Sequence, residues 1–506
     1  MAAALCRVNA KLWAEEEAEE EEEEEEERQV ARSPISPLGC AVSRCAALLL
    51  AQVLQVVLCQ GAKQAVPPVL PGEPFLVYWN APTQQCHIRH GAPLPLRGYG
   101  IVANPDQAFS GNRLTIFYLD QLGLYPYYNR GGQPVNGGCP QNASLRAHSE
   151  KMIGDVQRAL PWPSFSGLAV VDWEEWRPQW ERNWASKDVY QRKSRELVHA
   201  LHPHWPPGKV EKQAIWEFDS SAQQFLVETL RQGRRLRPAG LWGLYLFPDC
   251  YNHEYQRGLH NYTGHCPPLE LRRNDALGWL FAESKALYPS VYLVEALRSS
   301  PQGRLFVRAR VQEALRVADS TESPTALPVF VYSRPFYAYS LTPLTLMDLV
   351  SSIGESAALG ASGVVLWGGM DYSSTRSACL ELGRYLELTL GPYVANVTTA
   401  ARLCSQQLCS SRGRCVRRDP EADAFLHLDS QSFSIAVQPG GGRVSVRGEL
   451  SRAARATMRS AFQCQCYQGW AGDKCKSLAH RPKPGSTLLF LLLLLADLST
   501  LWSLPI

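Results

Sequence analysis

Gly167-Leu-Ala-Val-Val-Asp172-Trp-Glu174-Glu175-Trp-Arg177-Pro178 carries an apolar strand straight into a group of acids. Residues two apart on a strand share a face, so Asp172 and Glu174 project together while Glu175 points away. Two neighbouring carboxylates cannot both ionise cheaply; one pKa rises, and that group stays protonated as a general acid. Delivering two acids to one side of an apolar strand is costly unless they are used, and Trp173 and Trp176 frame them. Paired carboxylates flanked by aromatic faces suit glycoside hydrolysis, because flat rings stack on sugars. The competing reading is a salt bridge from Arg177 to one of the acids.

Outward from this stretch, short apolar runs alternate with helical patterns. Strands are expected at 75–79, 101–103, 114–118, 168–172, 213–218, 242–247, 290–293, 329–332 and 364–367. Helices are expected at 189–201, 223–232, 273–287, 306–317 and 344–359. This alternation argues for a parallel sheet with crossovers, and seven or eight units over this length suit a (β/α) barrel. Asp172, Tyr245, Tyr292 and Trp367 all stand at the C-terminal edge of a strand, where a barrel carries its site. No G-x-G-x-x-G follows the first strand and no phosphate-cradling loop with Gly-Lys-Ser/Thr occurs, so nucleotide binding is unsupported.

The 506 residues are 45% hydrophobic and 20% charged, which excludes a mainly disordered chain. The net charge of +3 averages two unlike parts: residues 1–61 hold 12 Glu against five Lys or Arg, leaving the rest at +10. A moderately basic body fits a polyanionic partner. Residues 1–61 read as an acidic extension followed by a signal-like apolar run, Ala46 to Cys59. Residues 477–506 read as a lipid-anchor signal: a small residue, Ser477, a polar spacer from His480 to Thr487, then an apolar end. The alternative for that end is a transmembrane tail. Three sequons, at Asn142, Asn261 and Asn396, support passage through the secretory pathway. The cysteine spacing from Cys404 to Cys475, with Gly469, Trp470 and Gly472, reads as an EGF-like module with a long insertion at 416–463. His199, His202 and His204 are interrupted by Pro203 and read as surface residues, not metal ligands.

VVDWEEWRP, together with IFYLDQLGLYP (116–126), WGLYLFPDCYN (242–252), NYTGHCP (261–267), LYPSVYL (287–293), IGESAALGASGVVLWG (353–368) and CSSRGRCVRR (409–418), resembles the animal hyaluronidases, glycoside hydrolase family 56. The resemblance covers about residues 72–476, and its motifs occur in order. KDVYQRKSREL (187–197), YNHEYQ (251–256) and the apolar tail look most like the lipid-anchored branch of that family. It implies a distorted (β/α) TIM-like barrel at 62–395, an EGF-like module at 396–476, and no metal or cofactor. It further implies retaining cleavage of the β-1,4 bonds of hyaluronan, with the substrate's own acetamide as nucleophile. Glu174 then matches the acid/base, Asp172 the group that orients the acetamide, and Tyr245 and Tyr292 the tyrosines around it. Trp367 matches a wall of the site, while Tyr118, Arg177 and Asp249 match other groove positions.

The same resemblance pairs Cys86 with Cys379, Cys250 with Cys266, Cys404 with Cys415, Cys409 with Cys464 and Cys466 with Cys475, leaving Cys139 over. The expected setting is the cell surface, with a lysosomal or endosomal pool left open, and no nucleic acid as partner. Chondroitin stays open as a second substrate. A membrane-anchored hyaluronan-binding protein with little hydrolysis is the rival reading.

Overall fold

The computed structural model describes residues 63–438 and 442–479, so the acidic extension, the signal-like run and residues 480–506 lie outside the described residues. Eight short strands run parallel: β1 (Leu76–Asn80), β2 (Ile101–Ala103), β3 (Leu114–Phe117), β4 (Leu168–Val171), β5 (Leu241–Leu246), β6 (Tyr288–Pro289), β7 (Phe330–Ser333) and β8 (Gly363–Trp367). They form two four-stranded sheets, in the orders β2-β1-β8-β7 and β3-β4-β5-β6. Parallel bridges Leu287↔Val329 and Ser290↔Tyr332 join β6 to β7 and close one seam. No ladder joins β2 to β3 among the described residues. There the buried Asn104 side chain stands in for a strand: it accepts from the N–H groups of Arg113 and Leu114 and donates to the Leu114 carbonyl at 2.8 Å. The result is the expected barrel, distorted at this seam.

Alternation decides what fills the barrel. Leu76 and Tyr78 of β1, Leu114 and Ile116 of β3, Leu168 and Val170 of β4, and Phe330 and Tyr332 of β7 point inward as one cluster. Val77, Trp79, Ala169 and Val171 point out against the helices. Gly243 makes room for this packing, since a Cβ there would lie 2.3 Å from the Ala286 carbonyl oxygen and 2.9 Å from the Tyr288 ring.

The helices include α1 (Leu145–Ala159), α2 (Asp188–Leu201), α3 (Pro207–Leu236), α4 (Pro268–Ala276), α5 (Gly278–Glu283), α6 (Pro301–Ser320), α7 (Glu355–Leu359) and α8 (Gly391–Leu408). The strand expected at 213–218 is instead the middle of α3. Its buried positions, Val210, Ala214, Phe218, Ala222 and Phe225, recur every three or four residues, a helical stripe that a short apolar window hides. The expected strand at 290–293 pairs earlier, at Tyr288–Pro289, with only Ser290 continuing as a bridge. Pro289 has no N–H to give, which keeps this ladder short. The helix expected at 273–287 is the pair α4 and α5, followed by β6.

The expected boundary at 395/396 falls inside α8, so one continuous helix leads from barrel to module. The module pairs β9 (Gly413–Arg417) with β12 (Phe462–Cys466) and β10 (Phe433–Val437) with β11 (Val444–Gly448), and carries α9 (Arg452–Ala461). It docks at the end of the barrel where strands begin: Arg414 donates to the Gly360 carbonyl at 3.0 Å and Ser362 Oγ at 2.8 Å, just ahead of β8. Five disulfides join the ten cysteines in the pairs that the resemblance implied. Cys139 is a buried free thiol, 3.7 Å from the Tyr128 hydroxyl. Asn142 and Asn261 are exposed; Asn396 is half-buried in α8, its Oδ1 accepting from the Leu428 N–H at 2.7 Å. Ser477 is exposed and pairs with Ala471. No helix among the described residues is long and apolar enough to cross a membrane.

Candidate active site

The inward register of β4, Leu168 then Val170, puts the next inward position at Asp172, just past the strand's end. The Asp172 N–H still bonds the Phe117 carbonyl at 2.9 Å, so the backbone holds this carboxylate over the barrel axis. The same two-residue step brings Tyr118 from β3, Tyr245 from β5, Tyr292 after β6 and Trp367 from β8 against the interior cluster. Four separated segments thus meet the acid pair at one mouth.

Their contacts form a wall. The Trp367 indole N–H donates to the Tyr118 hydroxyl at 2.9 Å, and Tyr292 stacks on Trp367 at 6.1 Å between centroids. The Tyr245 hydroxyl donates to Ser290 Oγ at 3.2 Å, and its ring meets Tyr332 edge-on at 5.0 Å. Arg334 lies over both Trp367 and Tyr292, with its carbon 5.2 and 5.7 Å from the ring centres. Ser290, Tyr332 and Arg334 were missed in the sequence. Stepping by two from Phe330 reaches Tyr332 and then Arg334, the same signal that found Asp172.

Burial raises Asp172 well above the ordinary carboxylate range; the charge of Glu174 raises it further and Arg177 opposes both. The pair therefore keeps a proton where two exposed acids would have lost both. Tyr118, Tyr245 and Tyr292 are likewise raised, first by burial, and stay neutral donors. Glu175 is separate: burial raises it, while Lys187 acts against that. Arg177 is buried; its guanidinium donates to the Glu174 backbone carbonyl at 3.3 Å and its backbone N–H donates to Asn183 Oδ1 at 2.8 Å. Asp249 stands behind the wall. It pairs with Arg310 at 3.3 Å and accepts from the Cys250 N–H at 2.7 Å. Burial works against its charge, but Arg310, Arg182 and Arg177 together hold its carboxyl below the usual value. Arg310 also donates to the Ser290 carbonyl at 3.2 Å, so this network braces the residue that receives the Tyr245 hydroxyl. Among the described residues no cluster of His, Cys, Asp or Glu could hold a metal ion.

A raised carboxyl has a consequence for stability. In the unfolded chain Asp172 ionises near pH 4, so above that pH the folded form must hold a proton or a buried charge, and stability falls as pH rises through the folded pKa. Asp172→Asn removes that penalty. The variant should melt higher than the parent at neutral pH and nearly level with it at about pH 4. Calorimetry at both values checks this; a lower melting point at neutral pH would contradict it.

A parallel barrel that holds a close acid pair among aromatic walls at its strand ends is the frame of a glycoside hydrolase. The hyaluronidase family model matches residues 64–479, and the chain belongs to that family. It is 49% identical to human hyaluronidase-2 over 90% of this chain and 98% of that protein. It is 46% identical to a hyaluronidase of the viper Echis ocellatus over 81% of this chain and 92% of that one. Among solved structures, bee venom hyaluronidase in complex with a hyaluronic acid tetramer superposes with a TM-score of 0.57 at 34% identity, covering 63% of this chain and 98% of that one.

Proposed function

We propose that the chain is an endo-β-N-acetylhexosaminidase that cuts the β-1,4 bonds of hyaluronan with retention, through the substrate's acetamide. The observation that carries this is the Asp172–Glu174 pair at the mouth of the barrel, where burial and the neighbouring charge of Glu174 raise Asp172 well above the ordinary carboxylate range. An acetamide N–H approaching Asp172 favours its carboxylate form, which passes the proton of the pair to Glu174. Glu174 gives that proton to the glycosidic oxygen as the bond to the anomeric carbon breaks. The acetamide oxygen closes on the same carbon, and Asp172 offsets the positive charge of the resulting oxazolinium. Glu174, now a carboxylate, takes a proton from the incoming water, which opens the ring and restores the configuration. Tyr245 and Tyr292 hold the acetamide, Trp367 and Tyr118 wall the sugar, and Arg177 sets the charge balance of the pair.

Supporting the substrate assignment are the family and the bee venom structure with its hyaluronic acid tetramer. Chondroitin presents the same acetamide and is a second candidate substrate. The reading extends to an EGF-like module, glycans at the three sequons and a lipid anchor at Ser477 on the cell surface, on the residues that first suggested them. The test is hyaluronan chain length after incubation with the purified protein from acid to neutral pH, with the anomer of the first product followed by NMR. Shortening with the β-anomer released first supports the mechanism. An α-anomer first, or no shortening at any pH, overturns it. Release from cells by a phosphatidylinositol-specific phospholipase checks the anchor; retention of the protein after treatment would favour a spanning tail.

A further inference from the structure

The groove leaves the arginine face of the module unexplained. Helix α9 reads RAARATMRSA and is capped by Ser451, whose hydroxyl accepts the Ala454 N–H. Arg452, Arg455 and Arg459 sit at i, i+3 and i+7, which brings them onto one stripe within about 60° of helix surface. Met458 is buried on another face, so packing fixes which side the stripe presents. Arg452 and Arg459 are exposed and Arg455 is partly so. A fourth cation joins them: Arg418 donates from Nε to the Arg459 carbonyl at 3.3 Å, taking up a free carbonyl at the helix end. None of the four is in an ion pair among the described residues.

The arginine run at the end of α3 behaves differently. Arg231 and Arg234 pair with Glu283 at 2.6 and 2.8 Å, and Arg235 pairs with Glu228 at 2.8 Å. Its charge is compensated within the fold. Glu449, three residues ahead of α9, is exposed, and Asp419, beside Arg418, is engaged with the Glu421 N–H at 3.0 Å; neither pairs with these arginines among the described residues. Three guanidinium groups along about 10 Å of helix, with a fourth at its end, form a concentrated positive field awaiting an outside anion.

Guanidinium forks match planar carboxylates and tetrahedral oxyanions, and bind the latter two oxygens at a time. Hyaluronan carries a single carboxylate per disaccharide, too sparse to meet four cations over so short a span. A sulfated glycan places several anions on each disaccharide and does meet them. The five disulfides belong to an oxidising compartment, where sulfated glycans are the abundant polyanions and nucleic acid is not. The module docks at the strand-start end of the barrel, opposite the catalytic mouth, so a chain on this face leaves the groove open.

We propose that Arg452, Arg455 and Arg459 of α9, with Arg418, form a second, non-catalytic site that holds a sulfated glycan chain. The test is titration of the purified full chain with a labelled heparin oligosaccharide at several salt concentrations. Arg452→Gln, Arg455→Gln and Arg459→Gln together should weaken binding at least about tenfold and reduce the slope of log affinity against log salt by about two to three. Hyaluronan cleavage should be unchanged in that variant. The α3 control, Arg231→Gln with Arg234→Gln and Arg235→Gln, should bind heparin as the parent does. Arg452→Gln with Arg459→Gln, both at exposed positions, repeats the test should the triple variant fold poorly. Unchanged heparin affinity would overturn the proposal, as would an equal loss in the α3 control. It would also fall if hyaluronan, single-stranded DNA or phosphatidylserine vesicles bound the face as tightly as heparin, or if cleavage were lost together with heparin binding.

Discussion

Glu174→Gln is expected to slow hyaluronan cleavage at least about a thousandfold while leaving hyaluronan affinity within a few-fold of the parent. The argument is one of proton supply. Gln fills the same space and keeps a carbonyl, but it cannot protonate a leaving oxygen or take a proton from water. Both halves of the reaction need that group, so the loss appears in kcat and not in KM. The walls of the groove, Tyr118, Tyr292 and Trp367, are held by contacts among themselves, so the binding surface survives. A second readout separates a chemical effect from misfolding. The charge of Glu174 is the second cause, after burial, of the raised Asp172, and removing it lets Asp172 ionise more easily. The variant should therefore be no less stable than the parent at neutral pH. Cleavage at the parental rate would remove Glu174 from the reaction. Loss of binding along with cleavage would leave the acid/base role unsupported.

How much of this was readable in the sequence depended on the kind of pattern each part leaves. The inward face of β4 was legible because Leu168, Val170, Asp172 alternate without interruption. Tyr245 and Trp367 were legible from their place at the C-terminal edges of apolar runs. The stretch 213–218 suggests a strand because Ala214, Ile215, Trp216 and Phe218 crowd into six positions; the helical spacing emerges only over the thirty residues of α3. Helix α1 left too faint a mark. It buries His148, Met152, Asp155 and Val156, two of them polar, and its polar groups are satisfied inside. The Asp155 carboxylate accepts from the Gly123 N–H at 2.8 Å and the His148 ring bonds Thr229 at 3.0 Å, contacts that join residues far apart in the chain. The role of Asp249 was also out of reach. Its position suggested a groove residue, yet three arginines from different elements surround it, and only the fold brings them together.

Long-range assembly of the same kind sets the other large expected effect. Glu355 on α7 is fully buried and receives Arg308 of α6 at 2.7 Å and Arg417 of β9 at 3.1 Å. Arg308 reaches on to Glu421 at 2.9 Å, and Arg417 to the Ala424 carbonyl at 3.2 Å. A single carboxylate thus ties the barrel to the module through two cations, both almost wholly removed from solvent. Glu355→Gln keeps the shape but leaves Arg417 with no charged partner and Arg308 dependent on two exposed ones, Glu421 and Asp423. Breaking a buried pair from one side costs about 3–5 kcal/mol, which in a chain of this length lowers the melting temperature by roughly 5 °C. The groove is at the other end of the barrel, so hyaluronan cleavage at low temperature should persist. Replacing the whole triad, with Arg308→Met, Glu355→Leu and Arg417→Met, should recover much of the loss, because no charge is then stranded. That recovery distinguishes uncompensated charge from lost packing. A Glu355→Gln protein that melts with the parent would show that the two arginines find water or carbonyl partners good enough to do without the acid.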